Sequence, residues 1–470
     1  LRQRGVEEHR HRCHALGAQR GGWAGAAAAV NLAQHNHKVH WIEASRQLGG
    51  RARAVELHGK ILDNGQHILL GAYTSCLALF KTLNITVEKS LLRLPLQMVY
   101  PNQSGMHFVA PKLPAPLHLA FALFKAQGLD RADKMALARF STTARWMDWQ
   151  LNDDCSVAEL LQRYEQTARL IQLMWNPLCI AALNTPPERA SAKVFLAVLR
   201  DSLGAKRSAS DMLLPTTDLS ALMPHAAAQF IQNKAGHVHL GTTAHSIHKT
   251  HPEHWRIESS SPEINAVQFD AIVLATPAET SKRFLAQLAL NQHDQVSPNH
   301  EALIDSHKSV SLPEFPQDLS YESITTCYLQ YPSSFKLARP FFALVDNPNQ
   351  HCWGQFVFDR GQLHQAQQGL LAVVVSAAVE AIAIEREALA LQIAAQLAHA
   401  FAAPELANPL WHQVISEKRA TFSCTPNLQR PANQTSHTGL VLAGDYTACD
   451  YPATLESAVR SGIAAAQLLS

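Results

Sequence analysis

A glycine-rich turn followed by a helix and a short strand is the feature that most constrains the fold of this 470-residue chain. The turn lies at residues 20–25, the alanine-rich residues 26–33 favour a helix, and residues 39–42 predict a strand that ends at Glu43. If Gly22 and Gly25 are the last two glycines of a G-x-G-x-x-G pattern, its first position is 20, and Glu43 lies 23 residues beyond it. This order and spacing are typical of the second half of a βαβ dinucleotide-binding unit.

The residues of this unit predict how a nucleotide would be held. Gly22 lets the backbone approach a pyrophosphate, and Gly25 permits close packing of the helix on a strand. Trp23 and Ala24 lie in the same turn, and the start of the helix that follows supplies free N–H groups and a positive dipole to the phosphates. Glu43 can accept hydrogen bonds from ribose hydroxyls. We therefore predict these five residues as cofactor-binding.

Two places depart from the pattern. Arg20 occupies the position at which the tight turn requires glycine. Residues 9–14 are rich in histidine and arginine, whereas the βαβ unit requires an apolar strand before the turn. Read one nucleotide later, the codons of residues 11–14 can encode Ile-Ala-Val-Met, so we hypothesise that residues 1 to about 19 come from a shifted reading frame or a misassigned start. A non-glycine residue forced into the left-handed region costs about 1–2 kcal/mol, which weakens cofactor binding without necessarily abolishing it.

A second motif, Gly49-Gly50-Arg51, follows the strand directly. It resembles the segment that follows the dinucleotide fold in flavoproteins of the amine oxidase and phytoene desaturase superfamily. The resemblance implies that the glycines let the chain pass close to FAD and that the arginine addresses its pyrophosphate. Residues 62–67, Leu-Asp-Asn-Gly-Gln-His, would alone indicate an Asn-Gly turn between strands. Their position after the Gly-Gly-Arg segment favours a part in the site.

The matching half of the site is predicted at the other end of the chain. Residues 439–445 are an apolar strand that runs into Gly444-Asp445, and residues 452–462 predict a turn, with Thr454, that opens a helix. The resemblance implies that Asp445 contacts the ribityl and pyrophosphate region of FAD. It also implies that the helix points its start towards the flavin, where its dipole can stabilise negative charge. Gly444, Asp445 and Thr454 therefore complete the predicted FAD-binding set.

These motifs, with predicted strands at 236–241 and 270–277, indicate an α/β fold. We expect a Rossmann-like FAD-binding domain of the amine oxidase and phytoene desaturase type, with an inserted α+β substrate domain. The discontinuous FAD-binding domain would comprise residues 1–90, 215–285 and 405–470. Residues 90–215 and 285–405 would form the substrate- or lipid-binding domain.

The middle of the chain indicates which family of this superfamily the sequence resembles. Residues 175–191, Trp-Asn-Pro-Leu-Cys-Ile-Ala-Ala-Leu-Asn-Thr-Pro-Pro-Glu-Arg-Ala-Ser, are followed by Val-Leu-Arg-Asp-Ser-Leu at 198–203. With residues 417–422 and 445–462, they resemble the squalene-associated FAD-dependent desaturase family, the hydroxysqualene dehydroxylases. The resemblance extends over nearly all of residues 21–470. It implies FAD-dependent reductive removal of the hydroxyl of hydroxysqualene, giving squalene, in bacterial hopanoid or squalene biosynthesis. Catalytic residues stay unassigned; His67 and Tyr446 are candidate donors, although a structural or flavin-orienting role is favoured for each.

Other interpretations stay open. A carotenoid- or phytoene-type desaturase would share the scaffold but oxidise its substrate, and a flavin-free, inactive copy would act only as a lipid-binding protein. An amine oxidase is disfavoured because residues 450–455 differ from the pattern expected there. The apolar members of 175–191 favour core packing over substrate contact, and Arg189 and Arg200 would either be solvated or ion-paired or meet a substrate. Residues 417–419 would be a solvated patch or lie near the flavin.

Composition limits the partners. Forty Lys plus Arg balance 38 Asp plus Glu, so no nucleic-acid partner is expected. The eight scattered cysteines and the histidines show no metal-ligand spacing, which favours reduced thiols in a cytoplasmic protein and no metal site. An isoprenoid substrate suggests peripheral contact with the inner face of the cell membrane, for which the apolar residues 114–125 are a candidate, with an ordinary buried helix as the alternative. An upstream squalene-pathway synthase would be the partner that supplies substrate.

Overall fold

The computed structural model describes residues 13–18, 22–103, 105–296 and 314–470. In these ranges the strands are β1 (Cys13–Ala18), β2 (Lys38–Glu43), β3 (Ala54–Leu57), β4 (Lys60–Asp63), β5 (Leu69–Leu70), β6 (Leu91–Leu94), β7 (Gln97–Val99), β8 (His107–Val109), β9 (Met212–Pro215), β10 (His237–Leu240), β11 (Ala244–His251), β12 (His254–Ser259), β13 (Ala271–Leu274), β14 (Tyr321–Gln330), β15 (Phe341–Ala343), β16 (Phe356–Asp359), β17 (Leu370–Ser376), β18 (Trp411–Phe422) and β19 (Leu440–Leu442).

The helices of the same ranges are α1 (Trp23–Gln34), α2 (Thr74–Thr82), α3 (Val87–Ser90), α4 (Leu117–Lys125), α5 (Arg131–Trp146), α6 (Val157–Arg163), α7 (Ala168–Leu170), α8 (Asn176–Leu183), α9 (Ala192–Leu199), α10 (Leu219–Leu222), α11 (Pro224–Asn233), α12 (Pro262–Asn265), α13 (Ala278–Val296), α14 (Val379–Ile382), α15 (Arg386–Phe401) and α16 (Leu455–Gln467). Two π-helical segments, Ile171–Trp175 and Arg200–Gly204, adjoin α8 and α9. Among the residues described, no helix combines the length and the apolar character needed to cross a bilayer.

A five-stranded parallel sheet forms one half of the molecule, in the order β10-β2-β1-β13-β19. Helix α1 packs against α11 and α16, and nearly every residue of its first two turns is buried. Because alanine has no side chain beyond Cβ, the alanine run lets these layers approach closely. The sheet draws its strands from three separate stretches of sequence, and the predicted α/β fold class is confirmed.

Strand β1 corrects one expectation. The polar residues 9–14 offered no apolar strand before the turn, yet β1 runs from Cys13 to Ala18 and pairs in parallel with β2 and β13. Its backbone hydrogen bonds to two neighbours, which any residue except proline can form, place it at the centre of the sheet. Arg20 and the segment 1–12 of the reading-frame hypothesis lie outside the described residues.

The second large sheet is antiparallel, in the order β15-β16-β17-β14-β18. Every residue of β17 is buried. Helix α15 covers one face of the strand through Leu389 and Ile393, and the alternate residues of the strand face the main core. β18 lies in the segment 405–470 predicted for the FAD-binding domain, yet it pairs with β14 along most of its length. We therefore propose that the last segment of that domain begins after Phe422.

Candidate cofactor site

The start of helix α1 lies at the carboxyl edge of the parallel sheet. Gly22 is its N-cap, with extended backbone and no side-chain cap, and the first intrahelical bond runs from Ala26 N to Gly22 O at 3.1 Å. The N–H groups of Trp23, Ala24 and Gly25 therefore have no partner within the helix. With the helix dipole behind them, they can receive an anion such as a phosphate.

Gly25 sits where the helix meets the sheet. A Cβ added at Gly25 would lie 3.2 Å from the Cβ of Ala275, the residue after β13. That separation is tighter than ordinary packing allows, so the helix approaches this closely because residue 25 is glycine. The close-packing role predicted from the glycine pattern is confirmed.

Glu43 ends β2, opposite Ala18 of β1 and Leu240 of β10. Its side chain is fully buried, and Oε1 accepts a hydrogen bond from the Ser45 N–H at 2.6 Å. An acid at the carboxyl end of the second strand is the position from which a dinucleotide-binding fold holds ribose hydroxyls.

The Gly-Gly-Arg segment makes a sharp bend. Gly49 has φ +116° and Gly50 has φ +63°, and a Cβ at Gly49 would lie 2.5 Å from the Ala52 carbonyl oxygen. Gly49 requires glycine, because both its backbone angle and the close Ala52 oxygen exclude a side chain, and Gly50 lies in the left-handed region that glycine favours. The bend delivers the Arg51 side chain towards the C-terminal half of the chain.

Arg51 meets Asp445 there. Its Nη2 donates to Asp445 Oδ1 at 2.6 Å, and its Nη1 donates to the Ala420 carbonyl at 2.6 Å. Burial disfavours the charged guanidinium, but attraction to Asp445 and the hydrogen bond to it outweigh burial, so the pKa of Arg51 is raised. The structure thus brings together two predicted site residues from opposite ends of the sequence.

Gly444 follows β19 by two residues and is held by helix α16. Its N–H donates to Ser461 Oγ at 2.9 Å, and a Cβ at Gly444 would overlap the ring of Tyr446 at 2.3 Å. Thr454 is the N-cap of α16 and forms a capping box with Ser457. Thr454 therefore performs the helix-opening role expected from the sequence.

The turn at residues 63–67 lies beside the Gly-Gly-Arg segment. Asn64 donates from its backbone N–H to Arg53 O at 2.9 Å and from Nδ2 to Arg51 O at 3.2 Å. His67 Nδ1 lies 2.9 Å from Gly65 O. Burial lowers the pKa of His67, with the Arg51 charge as a further cause, which favours a neutral ring that donates through Nδ1. This turn therefore belongs to the site.

The hydroxyl of Tyr446, the other candidate proton donor, is hydrogen-bonded within the protein. Its hydroxyl lies 2.9 Å from Ser281 Oγ, which in turn lies 2.7 Å from Thr276 Oγ1. The ring is buried, and burial raises the pKa of its phenol. These contacts fix Tyr446 beside Gly444, which agrees with the structural role favoured for it.

The segment that narrowed the family is mostly structural. Trp175 is buried, donates from Nε1 to Gln166 Oε1 at 2.9 Å and packs on Phe140. Arg189 pairs with Glu322 at 2.8 Å, and Arg200 pairs with Asp201 at 2.8 Å. Core packing and ion pairing, the simpler alternatives for these residues, are confirmed. Residues 417–419 lie close to the site, because Glu417 acts on the Arg51 charge and Ala420 O accepts from it.

Two contributors were missed by the sequence analysis. A Cβ at Gly462 would lie 2.2 Å from the Ala24 carbonyl oxygen, so the crossing of α1 and α16 depends on this glycine. Arg360 is fully buried and contacts Asp63 and Gln66 from the antiparallel sheet. Gly462 could have been found from the sequence, because a glycine inside an amphipathic helix indicates close packing. Arg360 follows an apolar strand, and nothing in the sequence near it indicates Asp63 or Gln66 as its partners.

The features of this site suit a pyrophosphate and a ribose. The start of α1 offers N–H groups that have no partner within the helix, Glu43 places a buried carboxylate at the end of β2, and a Cβ at Gly49 or Gly444 would clash with its surroundings. This is the construction of an FAD-dependent oxidoreductase. The chain belongs to the family described as flavin containing amine oxidoreductase, whose profile matches residues 23–470. The protein is therefore an FAD-dependent oxidoreductase by family.

Within that family the chain is similar to hydroxysqualene dehydroxylases. It is 27% identical to the hydroxysqualene dehydroxylase of Rhodopseudomonas palustris, over 97% of each chain. It is 25% identical to that of Zymomonas mobilis, over 97% of this chain and 98% of the relative. It is 24% identical to the 15-cis-phytoene desaturase of Glycine max, over 95% of this chain and 78% of the relative.

Solved structures show the same fold. An oxidoreductase from Methanosarcina mazei superposes with a TM-score of 0.65 at 14% identity, over 97% of this chain and 99% of that one. Cyclohexylamine oxidase from Brevibacterium oxydans superposes with a TM-score of 0.63 at 14% identity, over 97% and 98%.

Proposed function

We propose that this enzyme removes the hydroxyl group of hydroxysqualene reductively, giving squalene and water, in hopanoid or squalene biosynthesis. The observation that carries the proposal is the near end-to-end similarity to proteins named hydroxysqualene dehydroxylase, three of which align over 97% of this chain. The phytoene and zeta-carotene desaturase relatives are less similar to this chain, at 21–24% identity against 25–27% for the hydroxysqualene dehydroxylases.

We further propose that FAD is held by the eleven predicted residues: Gly22, Trp23, Ala24, Gly25, Glu43, Gly49, Gly50, Arg51, Gly444, Asp445 and Thr454. The helix start of α1 would bind the pyrophosphate, and Glu43 would bind the adenosine ribose. Arg51 and Asp445 would fix the part of the cofactor that lies between the two halves of the site.

Reduced FAD, when bound, supplies a hydride equivalent. In the proposed reaction the carbon–oxygen bond of the substrate breaks, a carbon–hydrogen bond forms, and the departing oxygen takes a proton to leave as water. The chain must therefore exclude bulk water around an allylic carbon with developing positive charge and place a proton donor near the oxygen. Neither His67 nor Tyr446 has a geometry that assigns it this task, so the donor stays unassigned.

The test is anaerobic incubation of the purified, FAD-loaded enzyme with hydroxysqualene and a chemical reductant, followed by chromatography of the lipids. Squalene formation that requires both reductant and bound FAD is the expected result. An enzyme that holds FAD but leaves hydroxysqualene unchanged would overturn the proposal. The same preparation, incubated with phytoene and a quinone, tests the second candidate, a carotenoid-type desaturase, which the phytoene and zeta-carotene desaturase relatives at 21–24% identity favour.

We propose a cytoplasmic enzyme that touches the inner face of the cell membrane through helix α4. Leu117, Phe121 and Phe124 on this helix are exposed by 56%, 40% and 76%. Lys125 Nζ lies 4.8 Å from the Phe121 ring, so a cation accompanies the apolar face. Large exposed apolar side chains next to cations suit the headgroup boundary of an anionic bilayer. A hydrocarbon substrate, supplied by an upstream squalene-pathway synthase, would be reached from there.

A further inference from the structure

One buried arginine of the antiparallel sheet contacts the turn at residues 63–67, which lies beside the candidate cofactor site. Arg360 follows β16, and its side chain is almost completely inaccessible. Each of its three guanidinium nitrogens reaches an acceptor: Nε reaches Gln367 Oε1 at 2.8 Å, Nη1 reaches Gln66 Oε1 at 2.7 Å and Nη2 reaches Asp63 Oδ2 at 3.4 Å. Arginine alone offers such a planar fork of donors.

The segment it holds is the one beside the predicted cofactor residues. Asp63 Oδ1 accepts from the Leu219 N–H at 2.8 Å, and the Asp63 carbonyl accepts from the Tyr328 hydroxyl at 2.8 Å. Gln367 Nε2 donates to Ile61 O at 2.7 Å. Residues 61–66 are thus held by the antiparallel sheet and its connections, through Tyr328 and Gln367, and by the start of helix α10, through Leu219.

The same segment also forms hydrogen bonds with the Gly-Gly-Arg bend, through Asn64. Asn64 donates to the carbonyl oxygens of Arg51 and Arg53, and Arg51 in turn pairs with Asp445. A continuous path of polar contacts therefore runs from Arg360 through the turn to the Arg51–Asp445 pair.

We propose that Arg360 is a positioning residue that fixes the turn at residues 63–67, and through it Arg51 and His67, relative to the bound FAD. Arg360 touches neither cofactor nor substrate in this assignment; it acts through Gln66 and Asp63. The proposal rests on FAD binding and not on the identity of the substrate, so it stands or falls independently of the dehydroxylation reaction.

The test must separate positioning from folding, because removing Arg360 alone leaves the Asp63 carboxylate buried without its counter-charge. A buried charge that loses its partner strongly destabilises a fold, so the single variant would confuse loss of folding with loss of positioning. We would therefore pair Arg360→Met with Asp63→Asn, which removes both charges and keeps an amide oxygen for the Leu219 N–H. Gln66→Leu is the milder variant, since it removes one acceptor of the fork and no charge.

The readouts are the FAD dissociation constant, from titration of the apoprotein, and the visible circular dichroism of the bound flavin. For the double variant we expect a folded protein whose dissociation constant rises about tenfold and whose flavin dichroism changes shape. Gln66→Leu should shift both in the same direction by a smaller amount. A folded double variant with wild-type affinity and dichroism would overturn the proposal. If the double variant does not fold, wild-type behaviour of Gln66→Leu would overturn it equally.

Discussion

Arg51 and Asp445 are 394 residues apart in sequence, yet their side chains form an ion pair of 2.6 Å. Arg51 follows a bend that depends on Gly49, and Asp445 follows β19, the edge strand of the parallel sheet. This ion pair therefore joins the N-terminal and C-terminal parts of the candidate cofactor site.

Breaking this pair should weaken FAD binding. Arg51→Met removes a charged donor whose hydrogen bonds contribute about 1.5–3 kcal/mol, so the dissociation constant for FAD should rise by roughly 10- to 100-fold. Asp445→Asn should have a smaller effect, and the double variant should show less than the sum of the two because the residues are in contact. Isothermal titration of the apoproteins with FAD measures all three.

The matched control is Arg139→Met, which removes an arginine paired with Glu165 where both side chains are well exposed. A surface pair of this kind contributes little, and we expect no change in FAD affinity. Equal affinities for Arg51→Met and Arg139→Met would rule out a part for Arg51 in the site.

Residue 25 should tolerate a larger side chain only if the strand opposite makes room. Gly25→Val should lower the free energy of unfolding by about 1–3 kcal/mol, because the added atoms press on Ala275. Gly25→Ala should cost less, and adding Ala275→Gly should restore most of that loss. Urea denaturation of the three proteins checks the series; failure of Ala275→Gly to compensate would contradict the packing role.

His40 should make the fold sensitive to mild acid. It is buried beside His237 and His239, with Nδ1 of His40 3.2 Å from Nε2 of His239, and burial lowers its pKa to about 4, with repulsion from both neighbours adding to the effect. Between pH 6.5 and 4 the unfolded chain binds a proton at this residue that the folded chain does not. Stability should therefore fall as the pH drops through this window, by up to about 3 kcal/mol for this residue.

The measurement is the free energy of unfolding at pH 7 and pH 5 for the wild type, His40→Gln and His225→Gln. His225 is exposed on α11 and serves as the control. His40→Gln should flatten the difference between the two pH values, while His225→Gln should leave it intact. An unchanged difference in His40→Gln would show that other groups dominate.

Helix α4 should determine binding to lipid. Phe121→Glu combined with Phe124→Glu replaces two exposed apolar rings by charges, and burial of each ring in a membrane surface would contribute about 1.5–3 kcal/mol. Flotation with anionic liposomes should show at least a tenfold loss of bound protein. Leu410→Glu is the control, because Leu410 lies on a different part of the chain and its 68% exposure falls between those of Phe121 and Phe124. Liposome binding that survives the double substitution would exclude α4.

The parts of the fold that could be predicted are those encoded locally. The turn, helix and strand of residues 22–43 follow from adjacent residues, and so does the strand before Gly444. Strand β1 could not be predicted because its place depends on pairing with β2 and β13 rather than on its own composition. The contact of Arg360 with Asp63 spans 297 residues, and nothing near either residue specifies the other. The site residues were recognisable as motifs, but their pairing, as for Arg51 with Asp445, needed the tertiary structure.

The long interval between the two halves of the site has a consequence for the newborn protein. Synthesis at about 5–20 residues per second separates Arg51 from Asp445 by roughly 20–80 seconds. During that time the parallel sheet lacks β19. Helix α1 also lacks its contacts with α16, including the one between Ala24 and Gly462, so the face of α1 that packs on α16 is exposed. The predicted FAD-binding residues are therefore complete only after nearly the whole chain has been synthesised, and the face of α1 that contacts α16 stays exposed until then.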